Sequence, residues 1–138
     1  MRYLVICAAL VAGCTAVAPQ PETTIPAPAP ESVAVAGLME GARADATAGR
    51  LANAAASLER ALRIEPRNPR LWQELARVRL KQGEYAQAES TAARSSSWAG
   101  GDNGLRAENW RLIAEARSAR GDSRGARAAL ERSKQLER

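Results

Sequence analysis

Pro69-Arg-Leu-Trp-Gln-Glu-Leu-Ala-Arg-Val-Arg-Leu-Lys-Gln-Gly-Glu-Tyr-Ala-Gln-Ala88 reads as a helix, a tight turn and the start of a second helix. Leu71, Leu75 and Val78 recur at helical spacing, so one apolar stripe runs down the first helix. Asn68 supplies a capping oxygen, and Pro69 sits where a helix has no use for a backbone N–H. Gly83 breaks the run and permits the left-handed residue that a tight interhelical turn requires. Small residues at Ala76 and Ala88 let the two helices approach closely.

The same pattern occurs before and after this stretch. Gly49, Gly83 and Gly121 recur at separations of 34 and 38 residues, each followed five positions later by Ala54, Ala88 or Ala126. The first copy holds Leu51, Ala54, Ala55, Leu58, Ala61 and Leu62 at helical spacing and ends at Pro66. The third holds Trp110, Ala114, Gly121, Ala126 and Leu130. With Trp72, Leu75, Ala76, Gly83, Tyr85 and Ala88 in the middle copy, the pattern resembles the tetratricopeptide repeat (TPR). The resemblance covers roughly residues 35–138 and implies an all-α fold, three helical hairpins forming a short right-handed solenoid. The repeats fall at about 35–68, 69–102 and 107–138, with helix pairs expected near 35–48 and 51–64, 69–82 and 85–97, 105–120 and 123–137. The third copy departs from the spacing, because Ala99-Gly100-Gly101-Asp102-Asn103-Gly104 inserts four residues ahead of it. Ser133 and Lys134 also replace the small and apolar residues usual in its last helix, so that solenoid end is only partly polar.

The composition agrees with closely packed helices. Hydrophobic residues make up 46% of the 138 residues, yet Ala dominates, Phe is absent and aromatics are 4%. The net charge of +5 comes mostly from Arg dispersed among Glu, Asp and Ala, which reads as a solvated helix surface and not as a nucleic-acid-binding block. There is no His, and Cys7 and Cys14 are the only cysteines, so neither a disulfide core nor a metal site is expected, and no cofactor. Gly121-Asp122-Ser123-Arg124-Gly125 matches the G-x-S-x-G nucleophile elbow, but that device needs a preceding strand and a His base. It is expected instead to be the third interhelical turn, with Asp122 or Ser123 as the cap, and the chain is not read as an enzyme.

The first 34 residues are of another kind. Arg2 precedes an apolar run from Tyr3 to Ala12, right for the core of a signal peptide and too short to span a bilayer. The run ends in Val11-Ala12-Gly13-Cys14, which resembles the lipobox of bacterial lipoproteins. That resemblance implies cleavage after residue 13, a signal peptide over 1–13, and acylation of Cys14 as the membrane anchor. Thr15 stands where Asp would retain such a protein in the inner membrane, so the resemblance implies the outer membrane, facing the periplasm. From Cys14 to Ala34 the chain holds Pro19, Pro21, Pro26, Pro28 and Pro30 among Ala, Thr and Glu, and is expected to be a disordered tether. The twenty residues from Thr15 would reach roughly 60 Å as polyproline II and roughly 25 Å as a coil.

In TPR domains the first helix of each pair lines a concave groove. The equivalent positions here include Met39, Arg43, Arg70, Gln73, Arg77, Leu80, Glu108, Arg111 and Glu115. Two roles fit the arginines: solvating that face, or holding an acidic segment of a protein partner through forked hydrogen bonds. The carboxylate clamp of chaperone-binding TPR domains is excluded, because its Lys and Asn sites hold Met39, Glu74 and Glu108. Trp72 and Trp110 occupy the repeat's own packing position, whereas Trp98 follows Ser95-Ser96-Ser97, expected to fray, and is a candidate exposed hot spot. A lipobox, a Pro/Ala-rich tether and a compact TPR end together resemble the LpoP-type lipoproteins, and the likeness extends through Leu58-Glu-Arg-Ala-Leu-Arg-Ile-Glu-Pro-Arg-Asn-Pro69 and Asn109-Trp-Arg-Leu-Ile-Ala114. It implies a protein that reaches from the outer membrane to a class A penicillin-binding protein and stimulates its peptidoglycan synthesis. The alternative is a TPR lipoprotein that scaffolds a pilus, secretin or other envelope complex.

Overall fold

The structure, a computed structural model, describes residues 30–138, with side chains from Val33 onward. The signal peptide, Cys14 and the tether as far as residue 29 lie outside the described residues. Six helices follow one another: α1 (Pro30–Thr47), α2 (Leu51–Ile64), α3 (Pro69–Lys81), α4 (Tyr85–Trp98), α5 (Asn103–Ala119) and α6 (Ser123–Leu136). Helices α1 and α2, α3 and α4, and α5 and α6 pack as hairpins, and α2 meets α3 as α4 meets α5, so the hairpins stack in order. Among the described residues there is no strand, and no helix is long and apolar enough to cross a membrane.

The three interhelical turns share one construction. Gly49, Gly83 and Gly121 have φ of 78°, 79° and 83°. In each, the residue after the glycine donates its N–H back into the finished helix: Arg50 to the Asp45 carbonyl at 2.8 Å, Glu84 to Arg79 at 2.9 Å and Asp122 to Arg117 at 2.9 Å. This is the glycine-terminated closure that satisfies the last orphan carbonyls. Asp122 then caps α6, its Oδ1 accepting from Gly125 N at 2.8 Å. The Gly121–Gly125 motif is therefore an interhelical turn. Asn68 caps α3, its Oδ1 accepting from Arg70 N at 3.0 Å and Leu71 N at 3.4 Å, with Pro69 at the first helical position.

Two boundaries differ from expectation. Helix α1 starts at Pro30 and not at 35, so Pro30 to Ala34 belong to the helix and not to the tether. Proline at the first helical position costs no hydrogen bond, so the helix whose Val35 packs in the core beside Leu38 and Met39 runs back to Pro30. Helix α5 starts at Asn103, because the four-residue insertion is partly taken up as an extra turn capped by Asp102, whose Oδ1 accepts from Leu105 N at 2.9 Å.

One apolar cluster joins the first two hairpins through Leu58, Leu62, Leu71, Leu75 and Val78, and a second joins the last two through Ala92, Leu112, Ile113 and Ala129. Leu130 stands in α6 where Leu58 stands in α2 and Ala92 in α4; those two are fully buried, while Leu130 is 43% exposed, with no described helix packed over it. On α1, Gly37, Gly41 and Ala44 occupy the places where Leu71, Leu75 and Val78 of α3 pack on the preceding hairpin. At these three positions the outer face of the first hairpin carries no large side chain.

Candidate protein-binding groove

The concave face is lined by the C-terminal halves of α1 and α3 and the middle of α5. Between them lies a groove of about 550 Å³. Buried Ala42, Leu58, Val78 and Leu112 form its floor with half-buried Ala46 and Leu80, and Arg43, Glu74, Arg77, Lys81 and Glu115 form its rim. Four of the residues expected from sequence, Arg43, Arg77, Leu80 and Glu115, are brought together here.

The other expected residues are not in this groove. Arg70, Gln73, Glu108 and Arg111 line a separate concavity of about 380 Å³ with Asp102 and Glu137. Met39 packs against the first apolar cluster. The pair Arg77–Glu108 stands between the two hollows, one partner in each. A single Arg-lined channel is therefore not what these residues form.

Nor are those arginines free. Arg43 Nη2 meets Glu74 Oε1 at 3.0 Å, Arg77 pairs with Glu108, Arg111 pairs with Glu137, and Arg70 lies 3.9 Å from Asp102. The Arg43 guanidinium is held above its ordinary pKa, first by its hydrogen bond to Glu74 and then by the charge of that carboxylate. Three of these pairs cross from one hairpin to the next, so the arginines tie the stack as well as decorate it. Each pair is partly exposed and contributes on the order of 0–1 kcal/mol. At the groove rim, Lys81 and Glu115 have no ion-pair partner among the described residues.

Gln73 has a different role from the one its spacing implies. It is 8% exposed, and its Nε2 donates to Asn109 Oδ1 at 3.0 Å and to the Leu105 carbonyl at 3.4 Å. Asn109, fully buried, donates through Nδ2 to Ser95 Oγ at 2.7 Å and to Ser96 Oγ at 3.2 Å, and Ser95 Oγ donates to the Pro69 carbonyl at 2.8 Å. The serine stretch expected to fray is therefore the last turn of α4, clasped between α3 and α5. A buried amide unpaired in a low-dielectric interior costs more than an exposed one gains, so Gln73 turns inward to Asn109 instead of facing the groove. The sequence signal was a lone Asn at a packing position of α5.

Trp72 and Trp110 are half-buried against the two apolar clusters, as their repeat position implies. Trp72 Nε1 donates to the Pro66 carbonyl at 2.8 Å. Trp98 is 40% exposed, with the Arg67 guanidinium 5.2 Å from its ring centroid. Among the described residues no cluster of His, Cys, Asp or Glu is arranged to hold a metal ion.

The tetratricopeptide-repeat pattern is matched over residues 46–107. Among solved structures, the globular C-terminal domain of P. aeruginosa LpoP is similar at 48% identity, covering 72% of this chain and 94% of that one, with a TM-score of 0.71. The N-terminal domain of stress-induced protein-1 (STI-1) from C. elegans superposes with a TM-score of 0.67, covering 79% of this chain and 98% of that one; at 15% identity this is a likeness of fold alone. No curated protein matches the sequence. The chain therefore belongs to the tetratricopeptide-repeat family, as a three-hairpin member similar to the globular domain of LpoP.

Proposed function

We propose that this chain is a lipid-anchored, outer-membrane protein of the periplasm whose TPR domain binds and activates a class A penicillin-binding protein, with no catalysis of its own. The observation that carries the reading is the inter-hairpin groove: an apolar floor with Lys81 and Glu115 left unpaired at its rim. A hollow of about 550 Å³ accepts a few side chains of a docked segment and is too small and too open to enclose a polymer. The unpaired opposite charges at the rim orient such a segment more than they hold it. The identity to the LpoP domain and the lipobox-like Val11-Ala12-Gly13-Cys14 support the choice of partner and compartment.

The test is binding of the purified full chain to the class A synthase encoded in the same genome, with glycan polymerisation and peptide crosslinking measured in parallel. The parent is expected to bind and to accelerate synthesis. Lys81→Glu with Glu115→Lys, both exposed, should weaken binding roughly tenfold while the melting temperature stays within a few degrees. A parent that neither binds nor accelerates any class A synthase refutes the function, and binding without acceleration makes the chain a scaffold of an envelope complex.

A further inference from the structure

The arginines of the concave face are answered by carboxylates of this chain, but Arg67 and Arg94 are not. The side chain of neither forms an ion pair or donates a hydrogen bond to another described residue. Both lie on tryptophan instead: Arg67 is 5.2 Å from the Trp98 ring centroid and Arg94 is 5.0 Å from that of Trp72. Arg94 and Trp98 are one helical turn apart on α4 and so share a face. Trp72 is joined to the backbone beside Arg67 by its bond to the Pro66 carbonyl. The four side chains thus close a cycle in which guanidinium and indole alternate.

A guanidinium lying on a ring has one face covered and its N–H fork held in a fixed direction. Its donors then remain free for an anion at a smaller entropic cost than those of a mobile side chain. Within the cycle, Trp98 is 40% exposed, so apolar surface adjoins the free donors. The repeat does not demand this arrangement. In the third hairpin Arg132 and Leu136 take the places of Arg94 and Trp98, and Arg132 Nη1 donates to Gln135 Oε1 at 3.1 Å instead of stacking.

We propose that Arg67, Arg94 and Trp98 form a second docking surface, which takes an acidic segment of a protein partner. A Glu or Asp carboxylate enters the fork of either guanidinium, and an apolar neighbour of that acid rests on Trp98. Charge complementarity selects the occupant: two oriented cations without an internal counter-ion, beside apolar surface, fit an acidic and partly apolar peptide. The surface lies at the start of α3 and the end of α4, whereas the groove is lined by the C-terminal halves of α1 and α3, so the two surfaces share no residue.

The experiment uses the class A synthase as probe and therefore rests on the proposed function. Full-chain parent, Arg67→Glu with Arg94→Glu, Arg67→Gln with Arg94→Gln, and Lys81→Glu are compared for synthase affinity at two salt concentrations and for melting temperature. The double reversal should weaken binding by roughly tenfold or more at the lower salt, and the neutral pair by a smaller factor with a flatter salt dependence. Combining the neutral pair with Lys81→Glu should multiply the two losses, since the surfaces are separate. If the double reversal unfolds, the neutral pair decides. Parent-like affinity of a folded double variant overturns the second surface and leaves the groove standing. Absence of binding by the parent overturns both. Loss of sedimentation with purified peptidoglycan or with phosphatidylglycerol vesicles, at unchanged synthase affinity, overturns it in favour of an envelope polymer or lipid.

Discussion

Replacing Asn109 by Ala tests whether the third hairpin is held on by a buried polar clasp. Asn109 Oδ1 accepts from Gln73 Nε2 at 3.0 Å, and its Nδ2 donates to Ser95 Oγ at 2.7 Å and Ser96 Oγ at 3.2 Å. Removing the amide leaves Gln73 with only its longer bond to the Leu105 carbonyl, at 3.4 Å, inside a site that water reaches poorly. Each buried polar group stranded in this way costs about 1–3 kcal/mol, and the vacated side-chain volume adds a cavity term. A loss of roughly 2–4 kcal/mol is expected, against a total of roughly 5–15 kcal/mol for a domain of this size. The melting temperature should fall by roughly 10–20 °C. Gln73→Ala in the Asn109→Ala background should then cost much less than in the parent, because the two amides satisfy each other. Thermal unfolding followed by circular dichroism reads both quantities. A shift under about 3 °C, or strictly additive losses, would show that apolar packing alone holds the stack and refute the clasp.

Gly83→Ala should lower stability by about 1–2 kcal/mol, since its φ of 79° places a Cβ in the left-handed region, with a urea midpoint as readout. Arg77→Glu should weaken the stack by up to about 1 kcal/mol at low salt by setting two carboxylates face to face, and Glu108→Arg in the same chain should restore it; a swap with no recovery would mean the pair is incidental. Cys14→Ala should abolish metabolic labelling with palmitate and release the protein from the membrane fraction, and persistent labelling would refute the lipobox reading.

The repeat period, the turn glycines and the caps were legible because each is a local device. A glycine at φ near 80° is needed wherever this turn is built, and Asn68-Pro69 caps a helix whatever packs on it later. The same locality misled at the ends. Proline density placed Pro30 to Ala34 in the tether, but a proline in a helix's first turn costs no hydrogen bond, and the helix that packs Val35 against its neighbours extends back to Pro30. Helical periodicity also marked the concave face well enough to bring Arg43, Arg77, Leu80 and Glu115 to one groove.

Sequence alone, then, determined the all-α hairpins, their number and their order, because those follow from spacing along one chain. The tertiary structure decided which polar side chains are spent inside the protein and which remain for a partner. Gln73 and Arg77 both fall on first-helix positions, yet one is buried against Asn109 and the other is paired across hairpins with Glu108. Arg67, in a loop, and Arg94, on a second helix, carried no periodic signal, and stacking on Trp98 and Trp72 sets their orientation. The physical reason is that a guanidinium or an amide is committed by whatever lies within about 3–5 Å of it, and those neighbours come from elsewhere in the sequence.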